Sequence, residues 1–433
     1  MTAQARIGKR VRAWGRGLSP AIALLGAMAL VTQVGVSIML PLLPLYATSL
    51  GATPTVLGLL TSSFAVLIAV GQLAGGYLVE RVAPRRLVSF GIVTYATANV
   101  LISTAGAALP LIAFRSLAGL GAGVNQVAER LYVAQAIDRT RLAFANGVLS
   151  AAGSAGTVLG PTVGGLLVGV ADLRLPFLVV AFTSAIAAIA SVFLPKPPAE
   201  GPARTADAAA ASARVDAGAA ERDVGGRQGR RRLAWSTATR ILVLLFLIQT
   251  SFQAMFGAFI TTYAVFTQER LGWATAEVGL VFSAFGLGSI LLGPVLANLA
   301  DRRGRRDVAI LGAALVLLFP IAFAAQAPRP ILYLVSVIGG GGVTAIEASY
   351  FALLADATDG GRRGRAYGWI TALSSLGIVV GATVASQLWD RTGDVGLGLL
   401  VTGVALVFVI GFLLLYPRDR PEAASPTRGD PGR

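Results

Sequence analysis

The chain has 433 residues, of which 55% are hydrophobic and 13% are charged, whereas soluble globular proteins carry about 25% charged residues. It contains no cysteine and no histidine, which excludes disulfides, thiolate and imidazole catalysis and the usual zinc sites. We expect no cofactor and no metal site. The formal net charge of +15 requires a separate explanation, which the positions of the basic residues provide.

Twelve apolar segments follow one another along the chain, each long enough to cross a hydrocarbon core of about 30 Å. A basic start precedes the first segment, but that segment is too long for a cleaved secretory signal, so we expect it to stay in the mature protein. The sequence predicts an all-α membrane protein with six plus six transmembrane helices, at residues 21–46, 55–79, 87–107, 110–135, 142–169, 175–194, 241–266, 275–300, 307–326, 330–355, 366–389 and 395–416.

Residues 195–240 separate the two groups of six. This segment combines prolines, an alanine-rich stretch and the basic run from Arg230 to Arg232, a composition that cannot bury enough apolar surface to fold alone. We predict a flexible cytoplasmic linker between a first bundle at 21–194 and a second bundle at 241–416. The tails, residues 1–20 and 417–433, are expected to be cytoplasmic.

The basic residues predict the orientation in the membrane. If the amino terminus is cytoplasmic, 30 of the 36 lysines and arginines fall in cytoplasmic loops and tails, and two, Arg115 and Arg130, fall within the fourth span. Only four lie in outer loops: Arg174, Arg270, Arg329 and Arg391. This asymmetry predicts that both termini are cytoplasmic. It also accounts for the net charge without nucleic acid.

The two halves look like weak repeats of each other. Glu129 precedes Asp138 by nine residues, and Glu347 precedes Asp356 by the same spacing. Two glycines of the fifth span, Gly156 and Gly160, recur in the eleventh span as Gly377 and Gly381. Many secondary transporters have such repeats, with the substrate site at the repeat interface near the middle of the membrane.

The loop after the eighth span reads Ala297-Asn298-Leu299-Ala300-Asp301-Arg302-Arg303-Gly304-Arg305-Arg306. It resembles the cytoplasmic loop signature of the major facilitator superfamily, and the loop after the second span, from Gly76 to Arg86, resembles a degenerate copy. A carboxylate beside a basic turn can pair across helix ends and must separate when two bundles rock apart. The resemblance implies a gate formed by Glu80, Arg81, Arg85, Arg86, Asp301, Arg302, Gly304, Arg305 and Arg306. Alternatively, the arginines only enforce topology.

The fourth span contains Arg115-x-x-x-Gly119-x-Gly121. This pattern resembles a signature common among proton-coupled members of the family, although Ala118 stands where that signature usually has glutamine. An arginine inside a span is costly and needs a partner or a wet cavity. By resemblance Arg115 would assist proton transfer; the alternative is an arginine that extends to the outer interface.

The fifth span resembles the signature associated with antiporters, particularly those of drug efflux. Its residues are Gly153, Gly156, Gly160, Pro161, Gly164 and Gly165. Glycines at these spacings let helix backbones approach closely, and the proline bends the helix. Helix packing alone is the other interpretation.

The first span ends Leu40-Pro41-Leu42-Leu43-Pro44, which is similar to drug transporters of this family. It lacks the acidic residue that several of them carry in this helix. The carboxylates well inside spans are Glu129 and Glu347, and membrane-embedded carboxylates are functional candidates. They are predicted either to carry protons together with Arg115 or to pair with nearby arginines in a gate.

Polar residues inside spans are the candidates for substrate contact. Gln33 and Ser37 share a helix face, as do Gln249 and Gln253, because each pair has i, i+4 spacing. The predicted cavity residues are Gln33, Ser37, Asn125, Gln126, Gln249, Gln253 and Phe256. Hydrogen bonding between helices explains such residues equally well. Amides and aromatics with few charges suit a neutral or cationic apolar compound.

The resemblance covers nearly the whole chain and implies a monomer with two pseudo-symmetric six-helix bundles in the cell membrane. It implies alternating access and efflux of small amphiphilic compounds or drugs in exchange for protons. No phosphate-binding loop is present, so ATP drive is not expected. The alternatives are an uptake symporter or facilitator of a sugar or other metabolite, and a non-transporting receptor on the same scaffold. No cluster of catalytic groups indicates an enzyme.

Overall fold

A computed structural model describes residues 20–78, 81–137, 139–170, 172–194, 228–357, 370 and 373–417. Within these ranges the regular elements are all helices. They are α1 Pro20–Ser49, α2 Pro54–Leu78, α3 Pro84–Ser103, α4 Ala108–Ala136, α5 Arg139–Val170, α6 Leu175–Val192, α7 Gln228–Leu271, α8 Thr275–Arg303, α9 Arg305–Ala324, α10 Arg329–Ala357, α11 Leu376–Thr392 and α12 Val395–Leu415.

The helices have the length and surface of membrane spans. Eleven of the described helices are long and apolar enough to cross a membrane, and α11 is the twelfth, with 17 described residues. Large apolar side chains cover the outside: Leu73, Phe182 and Phe193 are 65%, 67% and 73% exposed. A soluble monomer rarely exposes so continuous an apolar surface, whereas a membrane protein presents one to the lipid. The predicted all-α, twelve-helix membrane fold is confirmed.

The helices form two bundles with the same internal packing. In the first bundle α1 packs on α5 and α6, and α4 packs on α2 and α3. In the second bundle α7 packs on α11 and α12, and α10 packs on α8 and α9. The bundles meet mainly where α2 contacts α11 and α5 contacts α8, with a smaller contact between α1 and α7.

The two halves correspond at one constant distance along the chain. Helix α3 runs over Pro84–Ser103 and α9 over Arg305–Ala324, and α4 and α10 begin and end at the same separation. The same separation leads from Pro84 to Arg305 and from Gly156 to Gly377. We call it the repeat offset. It makes Tyr350 the counterpart of Glu129, and Gln126 the counterpart of Glu347.

The predicted repeat is thus present, but Glu129 and Glu347 are not equivalent positions of the two halves, as their spacing to the following aspartates had suggested. That nine-residue spacing lies three residues out of the true register. A single shared spacing between charged residues is weaker evidence of the register than the helix boundaries. The boundaries give the same separation at both ends of two pairs of helices.

Helix α7 begins before its predicted span. It starts at Gln228, inside the segment predicted to be a linker, because a helix that is already formed gains one backbone hydrogen bond for each residue added and alanine, leucine and arginine favour helix. Residues 1–19 and 418–433 of the predicted tails at 1–20 and 417–433 lie outside the described residues, and so do the linker residues 195–227.

The buried side chains divide the molecule into two unlike ends. We call the end with the loops after α1, α3, α5, α7, α9 and α11 the odd-loop end, and the opposite end the even-loop end. At the odd-loop end one apolar core joins both bundles, with Leu42 and Phe177 of the first in the same cluster as Tyr263 and Phe319 of the second. At the even-loop end each bundle has its own separate core.

Candidate functional site

The first contact between the bundles lies at the odd-loop end, between α2 and α11. Gly58 packs against Ser386 so closely that a Cβ at Gly58 would overlap the serine side chain. One helical turn further, the hydroxyl oxygens of Ser62 and Thr383 are 3.5 Å apart. A glycine and two small hydroxyl residues thus let the helices touch with few bulky groups between them.

The second contact, between α5 and α8, repeats the first. The hydroxyl oxygens of Thr162 and Ser283 are 2.6 Å apart, and Gly279 packs against the carbonyl of Pro161. The repeat offset relates Ser62 to Ser283 and Thr162 to Thr383. We call Ser62/Thr383 and Thr162/Ser283 the two hydroxyl latches. They are two copies of one interface, with the roles of the halves exchanged.

Two polar contacts at the rim of the odd-loop end involve exposed charged groups, and one of them joins the bundles. Thr55 on α2 donates a hydrogen bond to Asp390 on α11 at 2.8 Å, across the bundles. Arg270 pairs with Asp394 at 2.8 Å within the second bundle. A hydrogen bond from the Gly396 amide, with a smaller effect of Arg270, lowers the pKa of Asp394. These groups are exposed, so each contributes little stability.

Two arginines of the predicted gate hold the last helix of their own bundle. Arg306, 8% exposed, donates hydrogen bonds at 2.8 Å to the carbonyls of Leu413 and Leu414 at the end of α12. Arg85 donates to the carbonyl of Val192 at the end of α6. The repeat offset relates these two contacts as well. A guanidinium at a helix carboxyl terminus satisfies carbonyls that lack helical partners and complements the helix dipole.

The other predicted gate residues also make their described contacts within one bundle. Arg81 lies 4.4 Å from the ring centre of Tyr77, and Arg305 donates to the carbonyl of Ala352 at 3.2 Å. Gly304 ends α8 with φ of 99°, a backbone angle that favours glycine. The exposed members of the set are Arg81, Arg86 and Arg302. Those outside the described residues are Glu80 and the side chain of Asp301.

We expect Arg306→Gln to destabilise the second bundle. The change removes two hydrogen bonds from a buried charged group, each worth about 1.5–3 kcal/mol, and leaves the carbonyls of α12 unsatisfied. The apparent melting temperature of the purified protein in detergent should fall by several degrees. Arg302→Gln removes the same charge from an exposed position in the last turn of α8 and is the control. Equal melting temperatures for wild type and Arg306→Gln would contradict the assignment.

Three adjoining cavities lie between the helices, and Gln33 of α1 lines all of them. Gln33 donates hydrogen bonds to Thr157 at 3.2 Å and Ser37 at 3.3 Å, which fixes its amide where the cavities meet. The first cavity, of about 270 Å³, lies inside the first bundle. Its polar lining includes Thr32, Gln33, Asn125, Gln126 and Glu129.

The second cavity, also about 270 Å³, contains Arg115 and an otherwise mostly apolar lining from α1, α2, α7 and α11. The Arg115 side chain is buried and does not reach the outer interface: its guanidinium carbon lies 3.5 Å from the ring centre of Phe64. Gly119 sets this geometry, because it lets α4 approach the Phe64 backbone of α2 more closely than a Cβ allows.

The third cavity, about 300 Å³, lies between the bundles, is lined mostly by the second bundle and contains Glu347. Aromatic rings form much of its wall, including Phe252, Phe256, Phe259, Phe282 and Phe285. The exposed surface of Glu347 faces this space, and the structure gives it no ion pair with a described residue. The three candidates for proton coupling thus lie in three different cavities.

The glycine pattern of α5 packs in two directions. Gly156 and Gly160 leave no room for a Cβ against Gln33, Val34 and Ser37 of α1, so they set the position of Gln33. Gly164 also faces α1, whereas Gly165 faces Ala276 of α8 across the bundles. Gly153 has open space in front of it and lines the first cavity.

The predicted cavity residues do not all reach a cavity. Those that line one or more cavities are Gln33, Asn125, Gln126, Gln253 and Phe256. Ser37 and Gln249 are buried and absent from the three linings, and Gln126 also accepts a hydrogen bond from Gln72 at 2.9 Å. Met39, Phe64 and Phe285 were missed, because an apolar residue in an apolar span gives no signal in the sequence.

Comparisons with known proteins agree with this architecture. The family model of the Major Facilitator Superfamily matches residues 25–276 and 245–432. An uncharacterised MFS-type transporter of Methanocaldococcus jannaschii is 28% identical over 37% of this chain, an alignment that spans only 42% of that relative. Multidrug resistance protein 2 of Bacillus subtilis is 20% identical over 91% of this chain and 94% of its own. Quinolone resistance protein NorA of Staphylococcus aureus is 22% identical over 87% and 92%.

Solved structures show the same fold at low identity. The crystal structure of the nucleoside transporter NupG has a TM-score of 0.72 at 13% identity and covers 92% of this chain and 99% of its own. That of a D-xylose-proton symporter has a TM-score of 0.71 at 15% identity and covers 91% and 95%. At such identities the likeness establishes the fold alone.

Proposed function

Because the chain belongs to the major facilitator superfamily, whose members are transporters and not enzymes, we propose that it exports small amphiphilic compounds across the cell membrane in exchange for protons. The observation that carries this proposal is the unequal packing of the two ends. One core and two hydroxyl latches join the bundles at the odd-loop end, whereas the bundles have separate cores at the even-loop end, as expected of cavities that open to that side.

The orientation follows from the basic residues. The even-loop end carries the arginine-rich loops after α2 and α8, so it faces the cytoplasm, with both termini on that side. The structure then corresponds to a cytoplasm-facing state, ready to take up a compound from inside. Opening to the outside requires both latches to part and the arginine-rich loops of the two bundles to approach each other.

Glu347 is the residue that couples export to protons. It lies on the cavity surface beside aromatic rings that suit an apolar or cationic body. A proton and a cationic group cannot both neutralise one carboxylate, so each displaces the other, which is the requirement for exchange. The antiporter-like glycine pattern of α5 and the resistance proteins among the relatives support export over uptake.

The test uses inverted membrane vesicles that contain the protein. A proton gradient is imposed and followed with a fluorescent amine while ethidium, tetraphenylphosphonium or xylose is added. We expect the lipophilic cations to dissipate the gradient and the sugar to have no effect, with vesicles lacking the protein as the control. No response to cations, together with counterflow of radiolabelled xylose, would instead support metabolite uptake, the alternative function considered from the sequence.

A further inference from the structure

Arg115 is a buried cation with no ion-pair partner among the described residues. Its side chain is 7% exposed, its Nε has no hydrogen-bond partner among the described residues, and its Nη1 lies 3.7 Å from the Met39 sulfur, a weak acceptor. Stacking on Phe64 and the nearby Tyr95 hydroxyl stabilise the charge, but neither group is an anion. A buried charge that lacks a charged partner is strongly unfavourable.

No acidic residue lines the second cavity in the described part of the chain. Glu129 lies on the same helix, but the rise of about 1.5 Å per residue places it roughly 21 Å from Arg115 along the helix axis. Glu347 lines the third cavity. The described residues therefore provide an anion-binding group inside the cavity and no anion for it.

The fold itself does not require this arginine. The repeat offset leads from Arg115 to Ser336, which is buried and donates a hydrogen bond to the Leu332 carbonyl within its own helix. The same position of α10 thus packs well with a small side chain. Arg115 is an addition to the repeat, which indicates a role in what the cavity holds.

We infer that the exported compounds bound most tightly carry a carboxylate, or a group of the same charge and shape, which Arg115 binds through its planar N–H donors. This inference rests on the proposed function and narrows its substrate class. The second and third cavities adjoin at Gln33, Leu40 and Phe256, which line both. A compound with its acid at Arg115 and its apolar body on Phe256 therefore directs its other end toward Glu347. The class that fits is an elongated aromatic zwitterion with the carboxylate and the amine at opposite ends.

Direct binding to the purified protein in lipid nanodiscs tests this without any transport. The probe is 4′-(aminomethyl)biphenyl-4-carboxylic acid, compared with its methyl ester, which has only the amine, and with its N-acetyl derivative, which has only the acid. Isothermal titration should give wild type about 10- to 100-fold tighter binding of the zwitterion than of the ester. Arg115→Gln should reduce zwitterion binding to the level of the ester and leave ester binding within twofold.

Two further variants complete the experiment. Arg115→Lys keeps the charge without the planar donors and should recover part of the lost affinity, and Arg391→Gln removes an exposed arginine outside the cavities and should change nothing. Unchanged ester binding shows that Arg115→Gln is folded. Equal affinity of wild type for the zwitterion and the ester would overturn the inference. Equal weakening of zwitterion and ester binding by Arg115→Gln would also overturn it. Failure of proton-coupled export is a separate result, since it is read in vesicles with a gradient.

Discussion

Cysteines in place of Ser62 and Thr383 should stop transport under oxidising conditions and restore it on reduction. The two hydroxyl oxygens are 3.5 Å apart, so sulfurs at these positions lie close enough to form a disulfide with little backbone movement. The bond would fix α2 to α11 and hold the odd-loop end closed. Because alternating access requires that end to open, transport should fall to the level of empty vesicles.

The chain suits this experiment, because it has no cysteine of its own. The pair Thr162→Cys with Ser283→Cys, at the other latch, should give the same result because it is the second copy of the same interface. The matched control is Ser89→Cys with Ser191→Cys, whose hydroxyls are 2.6 Å apart but join α3 to α6 within one bundle. Full transport by an oxidised latch variant, with the disulfide demonstrated by mass, would rule out opening at the odd-loop end.

Glu347→Gln should abolish dissipation of a proton gradient by lipophilic cations. The amide has nearly the same size but can neither release a proton nor carry the negative charge that attracts a cation. We expect at least a tenfold loss in the vesicle assay. In wild type, binding of tetraphenylphosphonium to the purified protein should strengthen as the pH rises, because the carboxylate loses its competing proton. In Glu347→Gln this dependence should disappear.

Two other glutamates define the controls. Glu269→Gln changes an exposed carboxylate near the end of α7 and should behave as wild type. Glu129→Gln changes the carboxylate of the first cavity, so it shows which bundle couples protons. Coupling intact in Glu347→Gln but lost in Glu129→Gln would move the proton site to the first bundle.

The sequence was sufficient for the fold because the membrane imposes a simple requirement. Each span must satisfy its own backbone hydrogen bonds over a fixed thickness, so apolar segments of about 20 residues predicted most of the helices closely. The start of α7 was harder, since helix continues beyond the apolar segment to Gln228. Such an extension depends on local helix preference, which is a weak signal.

The site was predictable only where polar residues interrupt apolar spans. Gln33, Arg115 and Glu347 were identified in this way, and the structure places each at a cavity surface. Ser37 is equally polar, yet it packs beneath Gly160, because the rotation of a helix about its axis depends on its neighbours. The latches were missed altogether, since serine and threonine are common in membrane helices and their partners lie far away in the sequence.

The constant repeat offset lets each half of the chain serve as a reference for the other. Positions that match across it, such as Arg85 with Arg306 and Ser62 with Ser283, make the same contacts in both halves, so they belong to the common frame. Positions that differ mark where one half has acquired a role of its own. Arg115 stands opposite Ser336, and Glu347 stands opposite Gln126. A comparison of the two halves thus identifies Arg115 and Glu347 as the residues that we propose select the substrate.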